Sequence, residues 1–145
     1  MKKIIYSLMA ATLCLMMTSC SSPANRLKSL AEDISNNGNE WTDADKWESV
    51  MQDLANTMCD FMESDFTEDD IDDFVDAASE LADALRDIDD NKVFKAINKA
   101  SKKLDKDKDL EKRMKAAEKK AKKRLKELDI DEDDLRNAFR GISLF

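Results

Sequence analysis

The chain has no histidine, three cysteines, two glycines and one proline among its 145 residues. The absence of histidine removes the commonest general base near neutral pH and the commonest metal ligand. Two glycines and one proline leave few positions at which the backbone can turn sharply. The sequence therefore argues against histidine-based chemistry and favours regular structure joined by short connections.

The first 20 residues, "MKKIIYSLMAATLCLMMTSC", begin with two lysines and continue with 12 apolar residues among the 15 from Ile4 to Thr18. This order is typical of an export signal, and the apolar run is too short to span a membrane as a mature helix. Thr18 and Ser19 are small residues directly before Cys20. The segment resembles the lipobox of bacterial lipoproteins, in which a peptidase cuts before a lipidated cysteine. An ordinary secretory signal that happens to contain a cysteine is the alternative.

The resemblance implies a division of the chain into a lipoprotein signal peptide at 1–19, a lipidated N-terminus with a short tether at 20–25, and a helical-bundle domain at 26–145. Cys20 would carry acyl chains such as palmitate. One chain anchors weakly because each buried methylene contributes ~0.8 kcal/mol, whereas two or more hold firmly. Serines follow Cys20 in place of the aspartate that retains some lipoproteins at the inner membrane. We therefore expect an outer-membrane anchor that faces the periplasm.

Removal of the signal leaves 126 of the 145 residues and takes two of the 24 basic ones, so that 22 face 32 acidic residues and the net charge is −10. Cys14 leaves with the signal and Cys20 is acylated. Cys59 then has no cysteine with which to form an intramolecular disulfide, despite the oxidising compartment. Because Asp60 and Glu63 oppose thiolate formation nearby, we expect Cys59 to be an inert buried thiol.

Apolar residues recur at the spacing of amphipathic helices along the rest of the chain. The predicted apolar faces are Leu27, Leu30, Ala31 and Ile34; Trp47, Val50, Met51, Leu54, Met58, Phe61 and Met62; Ile71, Phe74, Ala78, Leu81, Leu85 and Ile88; Val93, Phe94, Ile97, Ala100 and Leu104; and Leu110, Met114, Ala117, Ala121, Leu125 and Leu128. The last two faces are out of phase, which predicts a break in "DKDKD", residues 105–109.

Signals for helix starts and stops separate these segments. Gly38 predicts a stop, and Thr42 is a candidate N-cap. Thr67 with Asp70 predicts a capping box, and Asp131 predicts one further start. Although 39% of the residues are charged, the apolar faces argue against a largely disordered chain. The predicted fold is all-α, a small bundle of four or five amphipathic helices after a cleaved lipoprotein signal peptide.

Charge is segregated along the chain. Residues 60–90 contain 14 acidic residues and one basic residue, whereas residues 92–126 contain 16 basic and five acidic residues. One expectation is that the acidic and basic helices pack side by side and neutralise each other, which would fix pairing more than stability. The alternative is that one of the two charged segments binds a partner. Nucleic acid is disfavoured by the export signal and by the lack of aromatic residues among the lysines.

Neither a metal site nor a catalytic site is expected. Three segments, 87–91, 105–109 and 129–133, place side-chain oxygens at alternate positions, as calcium-binding EF-hand loops do. Each lacks the glycine at the sixth position and the glutamate at the twelfth that such a loop requires. Nothing marks a pocket in which paired carboxylates could act. The sequence therefore predicts a protein that is not an enzyme and has no cofactor.

These observations predict a membrane-anchored envelope lipoprotein that acts as a non-enzymatic interaction or adaptor module for an envelope protein. One alternative is a helical module that binds a lipid or another small apolar ligand, since its Met- and Ala-rich faces repack easily. Another is a binder of anionic envelope polymers through the basic segment 112–126. Cys20 is the one residue to which the sequence assigns a role, as the site of lipidation.

Overall fold

The computed structural model describes residues 22–133, which fold into five α-helices and one short 3-10 turn. The predicted all-α bundle is confirmed. The signal segment, Cys20 and residues 134–145 lie outside the described residues. The helices are α1 (Pro23–Asn37), α2 (Ala44–Glu63), α3 (Glu68–Arg86), α4 (Asn91–Leu104) and α5 (Lys108–Glu127), and the 3-10 turn is Gly38–Glu40.

Helix α1 begins inside the segment 20–25 that the sequence assigned to a tether. The Ser22 hydroxyl accepts a hydrogen bond from the Asn25 N–H at 3.3 Å, and Pro23 occupies the first turn. Proline suits that position because its missing N–H would have no partner inside the helix. The helix therefore starts three residues after Cys20, and Pro23 to Asn25 belong to the bundle.

Gly38 ends α1 as predicted, although not through a left-handed residue. Its φ of −56° is right-handed, and the chain continues directly into the 3-10 turn. A Cβ atom at this position would lie 3.2 Å from Ile34 Cγ2 and 3.6 Å from the side chain of Ile88. Glycine is used here because the backbone passes close to other side chains.

The polar caps largely follow the sequence pattern. Thr67 and Asp70 form the predicted capping box, in which the Asp70 carboxylate accepts from the Thr67 N–H at 2.8 Å. The cap of α2 is Asp43 and not Thr42, since the Asp43 carboxylate accepts from the Asp45 N–H. The break in 105–109 is confirmed, with Asp107 capping α5. The Asp131 side chain accepts from the Asp133 N–H at 3.0 Å, at the predicted further start.

Helix α2 occupies the middle of the bundle. It contacts α1, α4 and α5, while α1 packs chiefly against α3. Because neighbours cover more than one side of α2, it buries Ala55, Thr57 and Cys59, which lie outside its predicted apolar face. The sequence predicted the burial of Cys59 but not that of Ala55 and Thr57, because a small residue and a threonine do not stand out in an apolar pattern.

The core has an aromatic stack at one end and a tryptophan pair at the other. Phe61 stacks on Phe74 with ring centroids 4.1 Å apart, and on Phe66 at 4.9 Å. Trp47 meets Trp41 edge to face at 5.4 Å and donates its indole N–H to the Trp41 carbonyl at 2.8 Å. This hydrogen bond satisfies the polar atom of a tryptophan that is 1% exposed.

The expectation that the acidic and basic helices pack side by side is wrong for α3. This most acidic helix packs against α1, whereas the basic helices α4 and α5 pack against α2. The reason is that the apolar faces, which contribute far more free energy than exposed ion pairs, decide the pairing of helices. Neutralisation occurs instead between α2 and the two basic helices, as at Lys103 with Asp45 and Glu48, both at 2.6 Å.

We expect Phe74→Ala and Phe94→Ala to differ sharply in stability. Phe74 is 2% exposed and lies in the aromatic stack, whereas Phe94 is 43% exposed. Loss of a buried phenylalanine costs about 3–5 kcal/mol, and an exposed substitution costs about 0.5 kcal/mol. Urea unfolding of the full chain followed by circular dichroism measures both. Equal losses in the two variants would contradict the assigned core.

Candidate functional site

An apolar cavity of about 530 Å³ lies between α1, α2, α3 and α4. This volume is within the range of about 300–1,000 Å³ that is usual for small-molecule sites. Most of the lining is aliphatic or aromatic, and the polar lining residues all come from α4 and its C-cap. The lining residues are Leu30, Ile34, Trp47, Val50, Met51, Leu54, Leu81, Leu85, Phe94, Ile97, Asn98, Ser101 and Asp105.

Each helix contributes to the cavity through its regular helical spacing. Leu30 and Ile34 on α1, and Leu81 and Leu85 on α3, are pairs four residues apart and so project from one side of their helices. The α4 wall runs from Phe94 to the C-cap Asp105, which corresponds to about 16 Å at 1.5 Å per residue. The cavity is thus walled by helices and not by loops.

Phe94 was predicted as part of the apolar face of α4, and this prediction is wrong as regards its burial. Helix α4 buries Val93, Ala96 and Ala100, and those small side chains bring it close to its neighbours. The ring of Phe94 is displaced from that contact, lines the cavity and stays 43% exposed. Among residues 22–133 it is the large hydrophobic side chain that is exposed, whereas the others are at least partly buried.

The Cys59 thiol is separate from this cavity. It is fully buried on α2, as expected, and burial raises the pKa of Cys59; the charge of Arg113 opposes this rise, while Glu63 and Asp60 add to it. A thiol that stays protonated is a poor nucleophile. Within residues 22–133, moreover, no three His, Cys, Asp or Glu side chains are grouped so as to hold a metal ion.

A charge network on α2 joins three helices. Arg113 of α5 donates to Asp60 at 2.6 Å, to Glu63 at 3.0 and 3.1 Å, and to Asn56 at 3.0 Å, while Arg26 of α1 donates to the other oxygen of Asp60. Partial burial opposes the charged form of Asp60, but the hydrogen bonds from both arginines outweigh it and lower the pKa of Asp60. This network was not predicted from the sequence. Its signal was the polar spacing i, i+4, i+7 of the three α2 residues.

The basic segment 112–126 lies within α5, and part of its charge is structural. Lys120 donates to the Glu63 carbonyl, and Arg124 donates to the Phe66 carbonyl at 2.9 Å, where α2 and the α2–α3 connection end. Cations are favourable beside the C-terminal carbonyls of a helix. The exposed lysines Lys112, Lys119 and Lys126 form no ion pair with any residue in the described range.

The outward face of α3 is acidic and is not neutralised within residues 22–133. Asp70 belongs to the capping box, six other exposed carboxylates on this helix form no ion pair there, and Asp83 pairs with Arg86 of the same helix at 2.8 Å. The exposed lysines of α4 do not lie beside this face, because α4 packs on α2 whereas α3 packs on α1. We call the six carboxylates the α3 acidic face: Glu68, Asp69, Asp72, Asp73, Asp76 and Glu80.

Comparisons with protein-family models, with curated proteins and with solved structures all give no match. Of the helices described, none is both long enough and apolar enough to cross a membrane.

The lowered pKa of Asp60 predicts a pH-dependent contribution to stability. Because the folded state holds the carboxylate charged below its ordinary pKa of 3.8, this contribution is present above that pH and is lost as the pH falls through the folded-state value. Asp60→Asn should lower the free energy of unfolding at pH 7 by about 1 kcal/mol, since the side chain is 38% exposed. The difference from wild type should shrink below about pH 4.

Urea unfolding of both proteins between pH 2.5 and pH 7 measures this difference. Asp53→Asn is the matched control, since Asp53 is exposed on the same helix and forms no ion pair among the described residues. A gap between wild type and Asp60→Asn that stays constant with pH would contradict the proposed role of the Asp60 charge.

Proposed function

We propose that this chain is a non-enzymatic envelope lipoprotein, anchored through acylated Cys20, whose helical bundle binds a small apolar ligand in the cavity between α1, α2, α3 and α4. The observation that carries the proposal is the apolar cavity with Phe94 exposed at its wall. The cavity favours the ligand-binding module, which the sequence left open as an alternative, over the adaptor that the sequence predicted.

The lining supplies the free energy that such binding requires. Removing apolar surface from water contributes about 25 cal/mol per Å², and a ligand in the cavity would cover the exposed part of Phe94 as well as its own surface. Phe94 is 43% exposed beside this cavity, so a bound ligand would bury apolar surface of Phe94 that the bundle itself leaves in water.

The position of the cavity is compatible with an anchor at Cys20. Leu30 and Ile34 lie seven and eleven residues after the start of α1 at Pro23, about 10 and 16 Å along that helix. The first turn of α1 lines a different, smaller cavity of about 290 Å³, together with Phe66. The larger cavity is therefore away from the end of α1 that is closest in sequence to Cys20.

We expect Ser101→Phe to abolish ligand binding without unfolding the bundle. Ser101 lines the cavity and is only partly buried, so that a phenyl ring there would occupy the space of a ligand. The tagged full chain, purified from envelopes in a mild detergent, would be examined by native mass spectrometry for a bound small molecule. Wild type should retain that molecule, and the fraction of protein that carries it should be at least about tenfold lower for Ser101→Phe.

The matched control is Ser29→Phe, which places the same ring on the exposed side of α1, outside the cavity. It should retain the molecule at the wild-type level. Circular dichroism of both variants checks that the helices are intact. Equal retention by wild type and Ser101→Phe, or no bound molecule in wild type, would overturn the proposed function.

A second candidate, the adaptor for an envelope protein, is favoured by the α3 acidic face. Carboxylates clustered on one exposed helix steer partners of opposite charge and raise the rate of encounter. If this face binds a basic partner, the complex should weaken as salt is added, because exposed charges are screened over about 8 Å at physiological ionic strength.

This candidate predicts that changing Asp72, Asp73 and Asp76 together to Asn removes a partner cross-linked in cells to the tagged full chain. Glu32→Gln with Asp33→Asn, on the exposed side of α1, is the control and should leave the partner in place. Cys20→Ala should also lose the partner if lipid anchoring brings the two proteins together. A partner recovered equally with every variant would rule out this face.

A further inference from the structure

We infer that the ligand of the cavity is a single-chain amphiphile aligned along α4, with a head group that is cationic or uncharged and not anionic. The inference rests on the proposed function and adds the chemical class and the orientation of the ligand. It is carried by the order of the lining residues on α4, which changes from apolar to polar in one direction.

The α4 wall has two distinct ends. Phe94 and Ile97 in its first half are apolar, and Leu30, Ile34, Leu81 and Leu85 face the same space from α1 and α3. Asn98, Ser101 and Asp105 follow at the spacing i, i+3, i+7, which keeps them on one side of the helix. An alkyl chain fits the first end, and a head group that forms hydrogen bonds fits the second.

The charge at the polar end favours a cation or a hydrogen-bond donor. Asp105 places a carboxylate in the lining itself, and it is also the C-cap of α4. The C-terminal end of a helix carries a partial negative charge of roughly half an electron, which adds to that carboxylate. A fatty-acid carboxylate at this position would be repelled by both the Asp105 carboxylate and the C-terminal end of α4.

The nearby lysines do not reverse this preference. Lys99, Lys102 and Lys106 are exposed and are absent from the lining, and Lys103 is paired with Asp45 and Glu48 at 2.6 Å. Exposed charges outside the cavity act through water and salt, whereas Asp105 would contact the head group directly. The charge of Asp105 therefore decides which head group the cavity prefers.

The test uses three photoreactive probes with the same 12-carbon chain and a diazirine at its far end, which differ in having an amine, a hydroxyl or a carboxylate head. The acylated full chain is held in nanodiscs of zwitterionic lipid. After illumination, mass spectrometry locates the labelled residues, and the yield on the scaffold protein of the nanodisc corrects for partitioning into lipid.

The expected result is labelling at the Phe94 end of the cavity, with the amine and hydroxyl probes at least about threefold above the carboxylate probe, as one exposed charge contact allows. Asp105→Asn should bring the amine and carboxylate yields together without moving the label. The matched control Asp87→Asn, at the C-cap of α3 and outside the lining, should preserve the wild-type ratio.

Equal corrected yields for the three heads, or a preference for the carboxylate, would overturn the inference while leaving a ligand-binding cavity. Label at the Asp105 end would overturn the proposed orientation. Failure of all three probes to label cavity residues, with yields unchanged by Ser101→Phe, would contradict the proposed function itself. The two failures are therefore distinguishable in one experiment.

Discussion

The arrangement of the bundle depends on the position of α2, which has neighbours on several sides. A helix in that position must bury small or apolar residues over much of its circumference, and its remaining polar groups must be met by partners from the surrounding helices. Here Asp60 accepts hydrogen bonds from Arg26 of α1 and Arg113 of α5. One carboxylate thus joins both α1 and α5 to the central helix, and no buried side-chain nitrogen or oxygen in the described range lacks a partner.

The cavity follows from how α4 packs on α2. Its buried residues are Val93, Ala96 and Ala100, which are small and allow the helix to approach closely at one side. The longer side chains Phe94 and Ile97 are then set beside the contact and not within it. The aromatic stack of Phe61, Phe66 and Phe74 fills the other end of the core, where no comparable large side chain is left over. A bundle filled uniformly by such a stack would have no room for a ligand.

Much of the fold could be predicted because each helix carries its own signals. The capping box at Thr67, the break before Asp107 and the apolar face of α3 are all local patterns, and the structure has each of them. The cap of α2 differed by one residue because Thr42 and Asp43 both carry cap-forming oxygens, and only backbone geometry decides between them.

The candidate site was harder to predict because it depends on which helices meet. Periodicity places Phe94 and Val93 on the same apolar face, but it cannot determine that Val93 is covered and Phe94 is left exposed. In the same way, Asn56, Asp60 and Glu63 form a polar spacing on α2, but the partner Arg113 lies 50 to 57 residues away in the sequence. Long-range pairings of this kind are set by tertiary packing.

The α3 acidic face and the polar end of the cavity lie on different helices. The α3 acidic face is exposed on a helix that packs on α1, whereas the polar end of the cavity is at the end of α4, which packs on α2. A partner that bound the α3 acidic face would therefore leave the Asp105 end of the cavity accessible. Helix α3 serves both features with different sides: Leu81 and Leu85 line the cavity, whereas the α3 acidic face is exposed to solvent. Ligand binding and partner binding therefore use different surfaces.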